Sequence, residues 1–149
     1  MKDPIIRHPE IFKMHKFMFL AAKSMDKVLE AQLHIGFSQC MILMYVHKHP
    51  GVSQRDISHD REITPAAVSR HIEALVEKAY LTQEENQKNK REHILRVSQK
   101  GEHLLEKIMT LMDAEIENLF SGVSKEEIHT IDSVFSKLLS SFDSHRSEC

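Results

Sequence analysis

Between Leu81 and Ser98 the apolar pattern of this chain changes period. Up to that point hydrophobic residues recur every third or fourth position, as at Val68, Ile72, Leu75 and Val76. From Leu81 to Glu85, and again from Glu92 to Ser98 (EHILRVS), they alternate; beyond Lys100 the helical spacing returns. A helix repeats its side-chain direction about every 3.6 residues and a strand every second residue. Two short strands are therefore expected inside an otherwise helical sequence. The polar tip NQKNKR joins them, with Asn86 and Asn89 suited to a turn.

Helical patterns fill the rest. Ile11 to Leu33 carries Ile11, Met14, Met18, Ala21, Met25, Val28, Leu29 and Leu33 at helical spacing, and Phe37 to Lys48 is strongly apolar until His49-Pro50-Gly51 stops it. Ser53-Gln54-Arg55-Asp56 has the shape of a capping box with Asp in place of Glu, so a short helix is expected from Gln54. Thr64 caps a further helix, with Pro65 at its first position, where the missing N–H costs nothing. A long helix follows over Lys100–Phe120 on Leu104, Leu105, Ile108, Leu111, Met112, Ile116 and Leu119. Ser124 and Glu127 then open a last one on Ile128, Ile131, Val134, Phe135, Leu138 and Phe142, before a polar, frayed tail from Ser144. The expected fold is mainly α with a small β-hairpin wing. It is read as one domain over 1–149, with a winged helix-turn-helix part over 36–100. Long helices over 8–34 and 100–143 flank that part, and their apolar stripes need a partner.

Charge narrows the function. The 149 residues sum to −2, but residues 1–52 hold 7 Lys/Arg against 4 Asp/Glu, residues 53–100 hold 9 against 8, and residues 101–149 hold 4 against 10. Within the middle part Lys88, Lys90, Arg91, Arg96 and Lys100 stand against Glu92 alone. A basic prominence on an acidic body suits a footprint on DNA, and equally a solvated hairpin. The 41% hydrophobic and 28% charged content is that of a soluble globular protein, and four glycines with no tryptophan argue against barrels, sandwiches and phosphate loops. Two cysteines, Cys40 and Cys149, and no signal-like or membrane-length apolar run point to a reducing cytoplasm.

The stretch ITPAAVSRHIEALVEKAYL, Ile63 to Leu81, joins pattern to chemistry. Wound at about 100° per residue, it sets Val68, Ile72, Leu75 and Val76 to one side, with Ala66, Ala67, Ser69, Arg70 and Glu73 opposite. Small residues near a helix start let its backbone approach a partner closely, and Arg70 reaches past them. Insertion into a major groove asks for this: alanine methyls against thymine methyls, serine to base or phosphate, arginine bidentate to guanine. The same small residues also suit a plain surface helix. The short helix before and the basic hairpin after favour the groove.

On these residues, positions 36–101 resemble the MarR family of bacterial transcriptional regulators. IGFSQCMIL resembles its second-helix pattern L-T-x-x-Q-F-x-V-L, and VSQRDIS its short third helix. TPAAVSRHIEALVEKAYL is similar to the recognition pattern S-x-x-x-V-T-R-x-I-x-x-L-E-x-x-G-x-I, and NQKNKREHILRVSQKG to the wing pattern D-P-x-D-R-R-x-x-x-x-L-T-x-x-G. Gln39, Arg70, Arg91 and Gly101 match. Asn89 and Lys90 stand where the wing usually has Asp-Arg, Ala79 where it has glycine at a left-handed cap, and Arg61-Glu62 where it has Leu-Gly.

The resemblance implies a homodimer that places two recognition helices in successive major grooves of a pseudo-palindromic double-stranded DNA site, with repression the usual outcome. Ser53, Gln54, Arg55 and Thr64 would hold phosphates; Pro65, Ala66, Ala67, Ser69, Arg70 and Glu73 would face the groove; Lys88, Lys90 and Arg91 would carry the wing. It also implies release by a small phenolic or lipophilic ligand, for which Met14, His15, Met18, Met41, Met44 and Tyr45 are the candidate lining. No cofactor, membrane partner or catalytic residue is expected, since no phosphate loop, nucleophile elbow or metal helix motif occurs. The alternatives are a metal- or redox-responsive regulator of the same fold, or a winged helix that binds only protein. Glu30 with His34, and Cys40 or His49 with His47, give no converging ligand set. Cys40 falls inside an apolar helix, where a thiol is inert.

Overall fold

The computed structural model of the chain describes residues 7–61 and 63–146, the side chains of Arg91 and of residues 143–146 excepted. Glu62 and Cys149 lie outside the described residues. The elements in order are α1 (Pro9–Leu33), α2 (Phe37–Lys48), β1 (Val52–Ser53), α3 (Gln54–Arg61), α4 (Pro65–Glu77), β2 (Leu81–Asn86), β3 (Asn89–Val97), α5 (Gln99–Leu119) and α6 (Lys125–Arg146). The architecture is mostly helical with a small antiparallel wing, as the periodicity requires. The chain divides into two compact units, Met1–Glu115 and Ile116–Cys149, the division falling inside α5.

In the first unit α2 is the centre. Cys40, Ile42, Leu43 and Val46 are buried on it, and Phe37, Gln39, Met41, Met44 and Tyr45 beside them are half-buried, so most of the helix is covered. Its first amides find side-chain acceptors: the Asp26 carboxylate takes the Phe37 N–H at 2.7 Å and the Gln39 amide oxygen the Gly36 N–H at 3.3 Å. Leu29 of α1, Ile57 of α3, Val68, Ile72 and Leu75 of α4, Leu81 and Leu95 of the wing and Ile108 of α5 complete one core with them. Burying each such side chain is worth about 1.5–3 kcal/mol before entropy is counted. The N-terminal half of α1 joins none of this: Ile11, Phe12, Phe17, Met18, Phe19 and Leu20 are exposed.

The sheet differs from expectation in two ways. A third strand is present, β1, pairing Val52 with Leu95 and Ser53 with Ile94, so the order is β1-β3-β2. Two residues are too few to show a period. The wing turn is also tighter than the six-residue tip read from sequence. Asn86 pairs with Asn89 across Gln87-Lys88, whereas Glu85 pairs with His93, so Lys90, Arg91 and Glu92 form a bulge in β3. A bulge breaks alternation without ending the strand, which is why the pattern stopped at Glu92.

In the second unit α6 begins at the expected capping box. Ser124 N–H donates to Glu127 Oε2 at 2.8 Å, and Glu127 N–H donates to Ser124 Oγ at 3.2 Å. The helix continues to Arg146, correcting the frayed tail expected from Ser144. Ile128, Ile131, Val134, Leu138, Leu139 and Phe142 are exposed along it.

Candidate nucleic-acid interface

The helix-turn-helix is built from two caps and one buried stripe. At α3, Ser53 Oγ donates to Asp56 Oδ2 at 2.7 Å and accepts the Asp56 N–H at 3.2 Å, while the Ser53 N–H reaches the same carboxylate at 3.1 Å. Aspartate thus serves the capping box as glutamate would. Ser53 is buried by this arrangement. It fixes the start of α3, and it also borders the open groove between α3, α4 and the wing. Gln54 and Arg55 follow, half-buried and exposed. Arg61, at the family's leucine position, is half-buried.

At α4, Thr64 Oγ1 accepts the Ala67 N–H at 3.3 Å and Pro65 occupies the first turn. Val68, Ile72 and Leu75 are buried. Pro65, Ala66, Arg70 and Glu73 are exposed, with Ala67 and Ser69 half-buried on the flanks. Ser69 Oγ donates to Glu73 Oε1 at 2.9 Å. Arg70 takes part in no hydrogen bond or ion pair among the described residues, leaving its guanidinium fork available.

The far end of α4 is closed by a Schellman arrangement. Tyr80 N–H donates to the Leu75 carbonyl at 2.8 Å and Ala79 N–H to the Val76 carbonyl at 2.9 Å. Ala79 is left-handed, φ 60°, at the position expected for glycine. The wing's exit holds this turn: Ser98 N–H meets the Tyr80 carbonyl at 3.0 Å, Ser98 Oγ meets the Ala79 carbonyl at 2.6 Å, and Lys100 Nζ meets the Lys78 carbonyl at 2.8 Å. Gly101 has no room for a side chain. A Cβ there would lie 2.2 Å from the Tyr80 carbonyl oxygen.

On the wing, Lys88 and Lys90 are exposed at the tip, and the Lys88 N–H donates to Asn86 Oδ1 at 3.0 Å, an Asx turn. The Arg91 side chain lies outside the described atoms. Between α3, the start of α4 and the wing runs an open groove of about 320 Å³, lined by Gln54, Arg55, Ser58, Pro65, Gln83 and His93 among others. Gln83 and His93 escaped the sequence reading. The signal for them was the period of two: they continue, beyond Leu81 and Leu95, the strand face that those leucines turn to the core.

The candidate effector residues are not gathered into one cavity. Met14, His15 and Met18 lie on the exposed half of α1, and Met41 is half-buried on α2. Tyr45 donates its hydroxyl to the Asp60 carboxylate, which pushes its pKa up to about 12. Met44 alone of the six lines the groove of about 710 Å³ between α2 and α5, with His47, Lys48, Glu102, Leu105, Glu106 and Met109. Cys40 is buried, and desolvation pushes its thiol up to about 11. Among the described residues no group of three His, Cys, Asp or Glu side chains is placed to hold a metal ion, and no helix is long and apolar enough to cross a membrane.

Known proteins share this arrangement. Residues 35–92, α2 through the bulge of β3, match the model of the MarR family. The HTH-type transcriptional regulator BilQ of Clostridium symbiosum is 26% identical over 111 residues, covering 74% of this chain and 77% of that one. A MarR protein from Peptoclostridium difficile superposes with a TM-score of 0.83 at 16% identity over 97% of this chain and 94% of that one. A cysteine-to-serine variant of E. coli MarR complexed with operator DNA superposes at 0.74, with 18% identity over 93% of this chain and 99% of that one. The matched segment holds both helices of the helix-turn-helix and the basic wing tip, and the fold extends the likeness along the remaining helices. Over α2 to the wing the chain is thus similar to the MarR family, and its fold is the winged helix-turn-helix fold of the solved MarR structures.

Proposed function

We propose that this protein is a cytoplasmic, sequence-specific regulator of transcription. It binds a pseudo-palindromic double-stranded DNA site as a homodimer, most simply as a repressor. The observation that carries this reading is the outer face of α4, with small residues at its start and then an unpaired Arg70, fixed at both ends by caps. Ala66 and Ala67 admit the helix deep into a major groove, where Arg70 meets guanine O6 and N7. Gln54, Arg55 and Thr64 approach phosphates beside it, and Lys88 and Lys90 reach the adjacent backbone or minor groove. The likeness of the fold to an E. coli MarR variant that is complexed with operator DNA supports the DNA-binding reading.

Dimerisation is supported by the exposed apolar side chains of α1 in one unit and α6 in the other. Surfaces of that kind mark protein contacts, and closed two-fold pairs are the commonest solution. A small lipophilic effector would find its place in the α2–α5 groove at Met44, Leu105 and Met109.

The test is selection from random duplexes, followed by titration of the winning site at two salt concentrations. Two half-sites about 10 base pairs apart, bound more weakly at high salt with a slope near −0.9 per phosphate contacted, are expected. No enriched sequence and no salt dependence would leave the fold as a protein-binding scaffold.

A further inference from the structure

On the outer face of α4 a carboxylate stands where the approach of DNA phosphates makes a negative charge costly. Glu73 is exposed, in line with Ala66 and about two turns beyond it. It lies three positions after Arg70, a spacing at which exposed Arg and Glu commonly pair. They do not pair here. Glu73 instead accepts the Ser69 hydroxyl at 2.9 Å, which draws its carboxylate away from Arg70 and holds it over the same face of the helix.

We infer that Glu73, positioned by Ser69, reads an exocyclic amino group in the major groove, cytosine N4 first of all. This rests on the DNA-binding reading above. An ionised carboxylate only accepts hydrogen bonds. In the major groove it is attracted to the amino donors of cytosine and adenine and repelled by the O6 of guanine and O4 of thymine. Its short reach from the helix favours the cytosine amine, the usual partner of an acidic side chain. Three residues rise about 4.5 Å along a helix, comparable with one base step of about 3.4 Å. Glu73 therefore selects the base pair next to the one that Arg70 contacts, in each half-site. Its contribution is largely discrimination: against the wrong base the carboxylate repels both the carbonyl edge and the phosphates. Ser69 acts through Glu73, as a positioning residue.

The experiment is parallel selection from random duplexes with the full-length protein, its Glu73→Ala, Glu73→Gln and Ser69→Ala variants, each checked for unchanged helix content by circular dichroism. Wild type is expected to prefer cytosine at one position per half-site by roughly 5- to 100-fold over guanine or thymine. Glu73→Ala should flatten that position alone while binding unrelated duplexes more tightly. Glu73→Gln should shift the preference toward adenine, since its amide pairs with adenine N6 and N7. Ser69→Ala should weaken the same preference without moving it. A Glu73→Ala selection profile identical to wild type, with affinity changed uniformly, would overturn the inference while leaving DNA binding intact. Failure of wild type to enrich any sequence would instead overturn the function on which it stands.

Discussion

Ala79 is the residue whose replacement should strengthen this protein, and the size of the effect follows from its backbone. Its φ of 60° places an L-residue with a Cβ in the left-handed region, at a cost of about 1–2 kcal/mol. The turn demands that conformation, because the Tyr80 and Ala79 amides close back on Leu75 and Val76 only when the intervening residue reverses hand. Glycine adopts it freely but loses more backbone freedom on folding, about 0.4–1 kcal/mol. The exposed alanine methyl contributes little burial that glycine would forfeit. Ala79→Gly is therefore expected to stabilise by about 0.5–1 kcal/mol.

Urea unfolding at fixed protein concentration measures this, the concentration held because the stability of the proposed dimer would depend on it. With a slope of about 2 kcal/mol per molar urea, the midpoint should rise by about 0.25–0.5 M with the slope unchanged. Ala79→Val is the opposing control, since a β-branched side chain tolerates the left-handed region worse than alanine and should lower the midpoint. An unchanged or lowered midpoint for glycine would mean that this turn stores no strain, and the account of how α4 ends would fail.

Gly101→Ala should destabilise by about 1–3 kcal/mol or more, because its Cβ would lie 2.2 Å from the Tyr80 carbonyl oxygen and 2.7 Å from Val97 Cγ1; thermal unfolding checks it, and a shift of under a degree contradicts the packing. Cys40 should stay unmodified by a thiol reagent at pH 8 in the folded protein and react in urea, as its burial and raised pKa require; peptide mapping that finds it labelled under native conditions would refute its enclosure. The Tyr45 hydroxyl, then His59, holds the Asp60 carboxyl below its ordinary value of 3.8. A depressed folded pKa gives stability present above that value and lost as pH falls through the folded one. Tyr45→Phe should raise the Asp60 midpoint in an NMR titration, and an unmoved midpoint would show that the hydrogen bond does not form in solution.

Local signals carried most of the fold. Thr64-Pro65, Ser53 with Asp56, and Ser124 with Glu127 each mark a helix start through hydrogen bonds that close within four residues, so a one-dimensional reading finds them. The same holds for the left-handed demand at residue 79, which the resemblance exposed through a missing glycine. What stayed hidden depends on residues far apart in sequence. β1 exists because Val52 and Ser53 meet Leu95 and Ile94, some forty positions on. The bulge at Lys90–Glu92 is a property of pairing rather than of either strand. Ser53 reads as phosphate-facing from its place at a helix start, and its own cap together with the pairing of β1, which the pattern did not contain, leaves it buried. The candidate effector residues lie scattered along α1 and α2 for a related reason: methionine content marks adaptable surface or core alike, and only tertiary packing decides which methionines share a wall.

The two parts of the site that sequence reading treated separately, recognition helix and wing, form one body. The end of α4 is a left-handed turn whose three carbonyls, of Lys78, Ala79 and Tyr80, are each taken by a group from 98–100. Lys100 completes the clasp by standing 5.0 Å above the Tyr80 ring, a cation–π contact worth about 0.5–1 kcal/mol at an exposed site. Gly101 lets the two backbones come this close, and Ser98 Oγ also accepts the Gly101 N–H at 3.0 Å. Turning the wing therefore requires breaking hydrogen bonds to the turn that ends α4. The proposed docking, with Arg70 on base edges and Lys88 and Lys90 on the backbone, needs those charges at fixed separation, because a groove contact tolerates little misplacement. The clasp supplies that rigidity without touching DNA. It also explains why glycine at 101 is indispensable while alanine at 79 is merely strained: the first admits the contact, and the second only shapes one side of it.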